Sequence, residues 1–165
     1  MKDLEIFRKL NCPENVIQHC LAVSKNAVLI AEKVRIPIDK ELVRLGGLFH
    51  DIGRCRTHSI RHAIEGSKLI RKLDLGEEIA NIAERHIGAG ITPEEAKKLG
   101  LPVKDYTPRS PEEKIVAYAD NLTQGNGMIS FEESLKRFKR ELGEDHPSIK
   151  RMIDLHKEIQ AWINR

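Results

Sequence analysis

At 165 residues, with 40% hydrophobic and 32% charged, the chain is too apolar for a disordered segment and has the length of one domain with its own core. Its 28 basic and 25 acidic residues are mixed along the chain and leave a net charge of +3, which gives no strong nucleic-acid signal. No apolar run approaches the roughly 18 residues of a membrane span, and the opening MKDLEIFRKL is charged and amphipathic, so a cytoplasmic protein with no membrane partner is expected. The three cysteines, Cys12, Cys20 and Cys55, are odd in number and lack a C-x-x-C spacing; reduced, mostly buried thiols are expected.

Apolar residues recur with a helical period from end to end. A short helix fits Lys2 to Leu10, with Leu4, Phe7 and Leu10 on one side. Pro13 opens a long helix to about Val34, whose stripe is Val16, Cys20, Val23, Ala27, Ile30 and Val34. His19 lies within that stretch, where taken alone it reads as a core histidine bonded to a carbonyl. Pro37 ends this helix and Asp39 caps a third, which runs to about Asp51. That helix is apolar nearly all round (Leu42, Val43, Leu45, Leu48, Phe49, Ile52) and therefore central. Gly46-Gly47 within it fits the close approach of another backbone. Its end delivers His50 and Asp51, with Gly53 placed to supply the turn.

A loop through Arg54 to Thr57 leads to a helix from about Ile60 to Leu73, and Gly76 separates that from a helix ending near His86. Gly88-Ala89-Gly90 reads as a flexible turn. Thr92-Pro93-Glu94-Glu95 and Ser110-Pro111-Glu112-Glu113 are capping boxes with proline at the first helical position, and the second opens the helix that carries Asp120. Gly100 to Arg109 is a loop, Ser130-Phe131-Glu132-Glu133 opens another helix, and His146-Pro147 precedes the last one, to about Ile163. No period-2 stretch appears. The expected fold is all-α: a single-domain helical bundle over 1–165, with roughly seven to nine helices, a metal-binding core at about 13–125 and C-terminal helices at about 130–164 packing on it.

A histidine and an aspartate side by side in an apolar segment are costly to bury unless a partner satisfies both, and a divalent cation does so. His19, His62, His86 and Asp120 are further compatible donors, each at or near an apolar helix face or a helix end. Neighbouring helical positions point about 100° apart, so Asp51 can turn one oxygen to each of two ions. His19, His50 and Asp120 would complete the first ion's shell, and His62 and His86 the second. Four neutral imidazoles and two carboxylates leave two divalent ions with surplus positive charge, which favours an anionic substrate such as a phosphate ester.

The order H…HDIGR…H…H…D, from His19 to about Leu122, resembles the HD-domain superfamily of metal-dependent phosphohydrolases, and more narrowly its HDIG-type subset. The stretches His86-Ile87-Gly88-Ala89-Gly90-Ile91-Thr92 and Glu113-Lys114-Ile115-Val116-Ala117-Tyr118-Ala119-Asp120-Asn121-Leu122 resemble a prokaryotic branch of it. The resemblance implies a four-ligand core of His19, His50, Asp51 and Asp120, with His62 and His86 matching the two extra histidines of members that hold a second metal. It implies one or two divalent transition metal ions (Fe, Mn, Co, Zn or Ni, with Mg also admissible). The activity implied is hydrolysis of a phosphate ester or phosphoanhydride, on a small anionic substrate such as a nucleotide. The Gly-Tyr-Pro signature of cyclic-di-GMP phosphodiesterases is missing, since Asn-Leu-Thr follows Asp120, and Ile87 stands where a paired histidine would be; both argue against that activity. The ligand order equally resembles symmetrical dinucleoside tetraphosphate hydrolases and di-iron oxygenases. An oxygenase therefore stays open as a reading, as does a non-catalytic nucleotide-binding module.

Beyond the ligands, Asp51 is the candidate bridge that positions a hydroxide. Arg54 follows the metal pair and can reach a phosphate bidentately, or serve as a plain surface arginine. His58, four residues before His62, is a candidate general acid, a support for a ligand, or a loop histidine. Lys114 lies six residues before Asp120 and meets substrate only if that substrate wraps around the helix; a surface ion pair suits it equally. Gly88 and Gly90, with the loop Gly100 to Arg109, are the natural places for substrate selection. Tyr106 there would either stack on a base or plug the loop onto the core. His146 and His156 fall outside the pattern as structural or exposed residues, and nothing marks Cys55 as a nucleophile.

Overall fold

The structure is a computed structural model and describes residues 2–165. Helices α1 (Lys2–Lys9), α2 (Glu14–Lys33) and α3 (Lys40–Phe49) are followed by a 3-10 turn, Ile52–Cys55. Then come α4 (His62–Lys72), α5 (Glu77–Glu84), α6 (Pro93–Lys98), α7 (Pro111–Leu122), α8 (Phe131–Leu142) and α9 (Pro147–Ile163). The domain is all-α, as expected. The one antiparallel hairpin among the described residues, β1 (Thr123–Gln124) with β2 (Gly127–Met128), is two residues per strand and too short to leave an alternating pattern in the sequence.

The helix starts follow from local chemistry. Asp39 accepts from the Leu42 backbone N–H, both capping boxes close reciprocally at Thr92/Glu95 and Ser110/Glu113, and Ser130 caps α8. Central α3 packs against α2, α5 and α7. Its two glycines make this possible: a Cβ on Gly47 would sit 2.8 Å from the Ser24 Cα, and one on Gly46 would sit 2.4 Å from the Ile82 Cδ1.

Two apolar clusters hold the helices together. One joins Val23, Ile30, Val43, Val116 and Ile159; the other joins Phe7, Cys20, Phe49, Ile52 and Ile70. The 100–109 loop is pinned by a third cluster, in which Tyr106 packs with Ile64 and Ile91 and donates its hydroxyl to the Pro102 carbonyl at 2.7 Å. Tyr106 is therefore the plug of that loop, buried out of reach of a base. His146 caps α9 at Ser148, and His156 meets the Tyr118 hydroxyl at 2.6 Å, both away from the HD pair.

The expectation of three reduced thiols is corrected: Cys12 and Cys55 are joined by a disulfide, and Cys20 alone is free. Asn11, at a φ of 53°, turns α1 into α2 and brings Cys12 beside the 3-10 turn, so the two Cα atoms lie 4.6 Å apart. A separation of 43 residues gives no sign of this in the sequence. The Cys20 thiol is pushed well up by burial.

Glu113 ties α5 to α7. Its carboxylate accepts from the backbone N–H of Arg109 and Ser110 at 2.8 and 2.9 Å and ion-pairs with the Arg85 guanidinium, nearly all of it out of solvent. Removing one partner of a buried pair strands the other, at a cost of about 3–5 kcal/mol. Glu113→Ala is expected to lower the unfolding free energy by about 3 kcal/mol in urea titrations, an amount an exposed ion pair does not reach.

Candidate metal centre

Five chain segments deliver six side chains to one place. His19 comes from the second turn of α2, and Asp120 from the last turn of α7. His50 is the C-cap of α3, with Asp51 next in the chain, so α3 stops two residues short of the expected end and the pair sits on the bend into the 3-10 turn. His62 is the first residue of α4, and His86 follows α5.

Three imidazoles are oriented by the same device. Nδ1 of His50 lies 2.6 Å from the Gly47 carbonyl, Nδ1 of His62 lies 2.8 Å from that of Ser59, and Nδ1 of His86 lies 2.6 Å from that of Ala83. A carbonyl only accepts, so each Nδ1 carries the proton and each Nε2 presents a lone pair. Those lone pairs converge. The Nε2 atoms of His62 and His86 are 3.2 Å apart, and each is 3.2 Å from Oδ1 of Asp51. On the other side, Asp51 Oδ2 lies 3.6 Å from His19 Nε2 and 3.8 Å from His50 Nε2. Asp120 Oδ1 lies 3.0 Å from His19 Nε2 and 3.4 Å from His50 Nε2.

His19 and His50 thus face one oxygen of Asp51 and His62 and His86 the other, while His86 also lies within reach of His50 and Asp120. The triads His19–His50–Asp51, His50–His86–Asp120 and Asp51–His62–His86 each have donor atoms within 4.8 Å of one another. Buried acceptors facing one another repel unless a cation lies among them, and His50 Nε2 and Asp51 Oδ1 are buried with no hydrogen-bond partner. Imidazole nitrogen and carboxylate oxygen suit Mn, Fe, Co, Ni and Zn. The residues present therefore fit one or two divalent ions.

The electrostatics agree. Burial alone would push the Asp51 carboxyl up, but His50 beside it and the contacts of His62 and His86 hold it well below the usual carboxylate range. Asp120 is likewise lowered against its burial, by His50 and by the bond from His19. His19 is raised, first by its bond to Asp120; His50 is raised because Asp51 and Asp120 outweigh its burial. Without a cation in the cluster, protons supply the positive charge the carboxylates call for.

Above the cluster opens a cleft of about 290 Å³ lined by Asn15, Val16, His19, Asp51, Arg54 and His58. Arg54 donates Nε to Asp51 Oδ2 at 3.0 Å and stays half-exposed. His58 reaches the cleft from the turn before α4, which begins only at His62, so the two do not share a helix face. Asn15 was missed by sequence reasoning; its place four residues before His19, on the same face of α2, is the signal that could have found it.

Three expected substrate contacts lie elsewhere. Lys114 donates to Glu158 at 2.8 Å and ties α7 to α9. Gly88 and Gly90 line a different, apolar cleft with Ile87, Ile91 and Met152. Their carbonyls accept from Asn121 and Arg151, both at 3.0 Å, so the turn after His86 is used to pack against α7 and α9.

Gly53 does not supply a left-handed turn but a close approach: a Cβ there would lie 1.8 Å from the His62 carbonyl oxygen. Gly53→Ala is expected to force the start of α4 outward and His62 with it. Metal per chain by elemental analysis should fall, with a stability loss of about 3 kcal/mol.

Residues 16–125 match the HD domain family, and the chain belongs to it. It is 54% identical over 165 residues to an uncharacterized protein of Methanocaldococcus jannaschii, covering 98% of this chain and 97% of that one. It is 42% identical over 162 residues to a tRNA (cytidine(56)-2'-O)-methyltransferase of Picrophilus torridus, covering 98% of this chain but 46% of the relative, so it spans about half of that protein. The fold is that of the HD domain of the L. monocytogenes phosphodiesterase PgpH, crystallised in complex with cyclic-di-AMP, at a TM-score of 0.53 and 18% identity over 90% of each chain. No described helix is long and apolar enough to cross a membrane.

Proposed function

We propose that the chain is a metal-dependent phosphohydrolase that cleaves a phosphate ester or phosphoanhydride of a nucleotide, with His19, His50, Asp51, His62, His86 and Asp120 as the metal ligands. The observation that carries this reading is the cluster of six donors, with the two Asp51 oxygens turned to different histidines, beside an open cleft that also holds an arginine. Divalent ions bound there would activate water near neutral pH and neutralise charge on phosphate oxygens.

The chain's own residues then have distinct tasks. Asp51 fixes the spacing of the two sides of the cluster through its two oxygens. The carbonyls of Gly47, Ser59 and Ala83 hold three imidazoles in the lone-pair-inward tautomer. Arg54 engages Asp51 through Nε only, which leaves its two terminal nitrogens free to grip a phosphate in the cleft. His58, exposed at the cleft wall, is placed to return a proton to the leaving oxygen. A nucleotide substrate accords with two similar proteins, a tRNA methyltransferase and a phosphodiesterase whose HD domain binds cyclic-di-AMP. The methyltransferase is about twice this length, and more than half of it lies outside the part that matches this chain.

The test is metal analysis of protein purified without air, joined to a screen of phosphate mono- and diesters with added Mn²⁺, Co²⁺ or Mg²⁺. Two ions per chain and phosphate-ester cleavage without dioxygen are expected. An iron-only requirement with dioxygen consumption would assign the same cluster to an oxygenase instead.

A further inference from the structure

The cleft over the donor cluster has two walls, each a short stretch of chain. Asn15, Val16 and His19 form one, on the first two turns of α2; Asp51, Arg54 and His58 form the other, on the 3-10 turn and the loop after it. Cys12 lies just before the first wall, and Cys55 lies within the second, next to Arg54. The Cys12–Cys55 bond therefore joins one wall to the other, with the two Cα atoms 4.6 Å apart. Among the described residues no hydrogen bond or ion pair links 11–18 to 52–61, so at the rim this bond sets the distance between the walls.

The base of each wall has its own anchor. The Phe7 ring stacks on Phe49 at 5.5 Å and keeps α1 docked; Ile52 packs in the apolar cluster with Val16 and Cys20, and Gly53 lies against the His62 carbonyl. The rim has much less. From Arg56 to Ser59 the loop bonds only locally: Arg56 and Thr57 donate N–H to the Gly53 carbonyl at 2.9 and 3.0 Å, and Ser59 donates N–H to the Thr57 hydroxyl at 3.2 Å. Without the disulfide, Arg54 keeps its one bond to Asp51, while the loop that carries His58 and the connection before Asn15 lose their tie to each other. Cys12 and Cys55 are both partly exposed, so an external thiol can reach the bond.

We propose that the Cys12–Cys55 bond is a redox clamp on this cleft: intact, it holds the Arg54–His58 wall against α2 in the arrangement that takes a phosphate, and reduction by a dithiol releases the rim and weakens phosphate binding while the metal ligands stay in place. In that step a thiolate of the dithiol attacks one cysteine sulfur, the S–S bond breaks, and a mixed disulfide and one free cysteine result. The dithiol's second sulfur then displaces the other cysteine. Two electrons and two protons pass to Cys12 and Cys55, and the dithiol leaves as a cyclic disulfide. An oxidised dithiol reverses the step. The effect on turnover rests on the phosphohydrolase reading of the metal centre; the effect on phosphate binding does not.

The experiment compares the metal-loaded protein as oxidised with the same protein treated with dithiothreitol, which is then removed without air. Thiol titration in denaturant should count one thiol before treatment, Cys20, and three after it. The Kd for inorganic phosphate by calorimetry should rise about fivefold or more on reduction, and kcat/KM for any ester the protein cleaves should fall about tenfold, mostly through KM. Metal per chain and circular dichroism should not change, and reoxidation should restore the lower Kd. The Cys12→Ser/Cys55→Ser variant should bind phosphate as the reduced protein does and ignore dithiothreitol. If no ester is cleaved, the phosphohydrolase reading fails alone, and a phosphate Kd that follows the thiol count still supports the clamp. Equal phosphate affinity in the two states, a response that persists in the double variant, metal lost on reduction, or three free thiols in the protein before treatment overturns it.

Discussion

Asp51→Ala is expected to empty both sides of the cluster at once, taking metal content from two ions per chain to near zero. The reason is geometric. Oδ2 of Asp51 faces His19 and His50 while Oδ1 faces His62 and His86, so one carboxylate serves two sets of donors. His62→Ala, by contrast, removes a donor from one side, and metal content should fall to about one. Loss of the two ions removes several kcal/mol of charge stabilisation from the transition state, so phosphohydrolase turnover should drop by about a thousandfold or more. Asp51→Asn, which keeps the shape and loses the charge, separates a folding defect from a ligand defect: its circular dichroism should match the parent while its metal content does not. Retention of one tightly held ion in Asp51→Ala would show that the two sides are independent.

The parts of this molecule that were legible in the sequence are those fixed by local chemistry. The capping boxes at Thr92 and Ser110, the Asp39 cap and the apolar stripes of α2 and α3 act within a few residues, so each element stands where its residues place it. The convergence of His19, His50, Asp51, His62, His86 and Asp120 was legible for a different reason. Buried polar side chains on apolar faces have few ways to be satisfied, and a common partner is the economical one. What the sequence did not disclose depends on contacts across long separations. The Cys12–Cys55 bond is set by how α1 folds back on the 3-10 turn, and the Lys114–Glu158 pair by how α9 lies along α7. Gly88 and Gly90 show the same limit: a glycine turn after a histidine of the cluster has the sequence of a substrate loop, yet its carbonyls are taken by Asn121 and Arg151.

The stabilisation supplied by metal should grow with pH, against the trend of the metal-free protein. In the metal-free protein His19 and His50 are raised above the unfolded value of about 6.5, so their contribution is fully present below that pH and is lost as pH rises through their folded values. Asp51 and Asp120 are lowered, so theirs is present above the unfolded value of about 4 and is lost only as pH falls through the folded ones. The metal-free protein should therefore be most stable in mildly acidic solution and should weaken toward pH 8. A divalent ion needs the same imidazoles unprotonated, so it binds more tightly as pH rises. At a free ion concentration a thousand times its Kd, one bound ion adds about 4 kcal/mol, or roughly 10 °C in Tm for a chain of this size. Thermal unfolding with EDTA and with Mn²⁺ or Co²⁺, at pH 5.5 and at pH 8, should show that increment at the higher pH and little of it at the lower. An increment equal at both pH values would mean that the ion displaces no protons, and so binds somewhere other than this cluster.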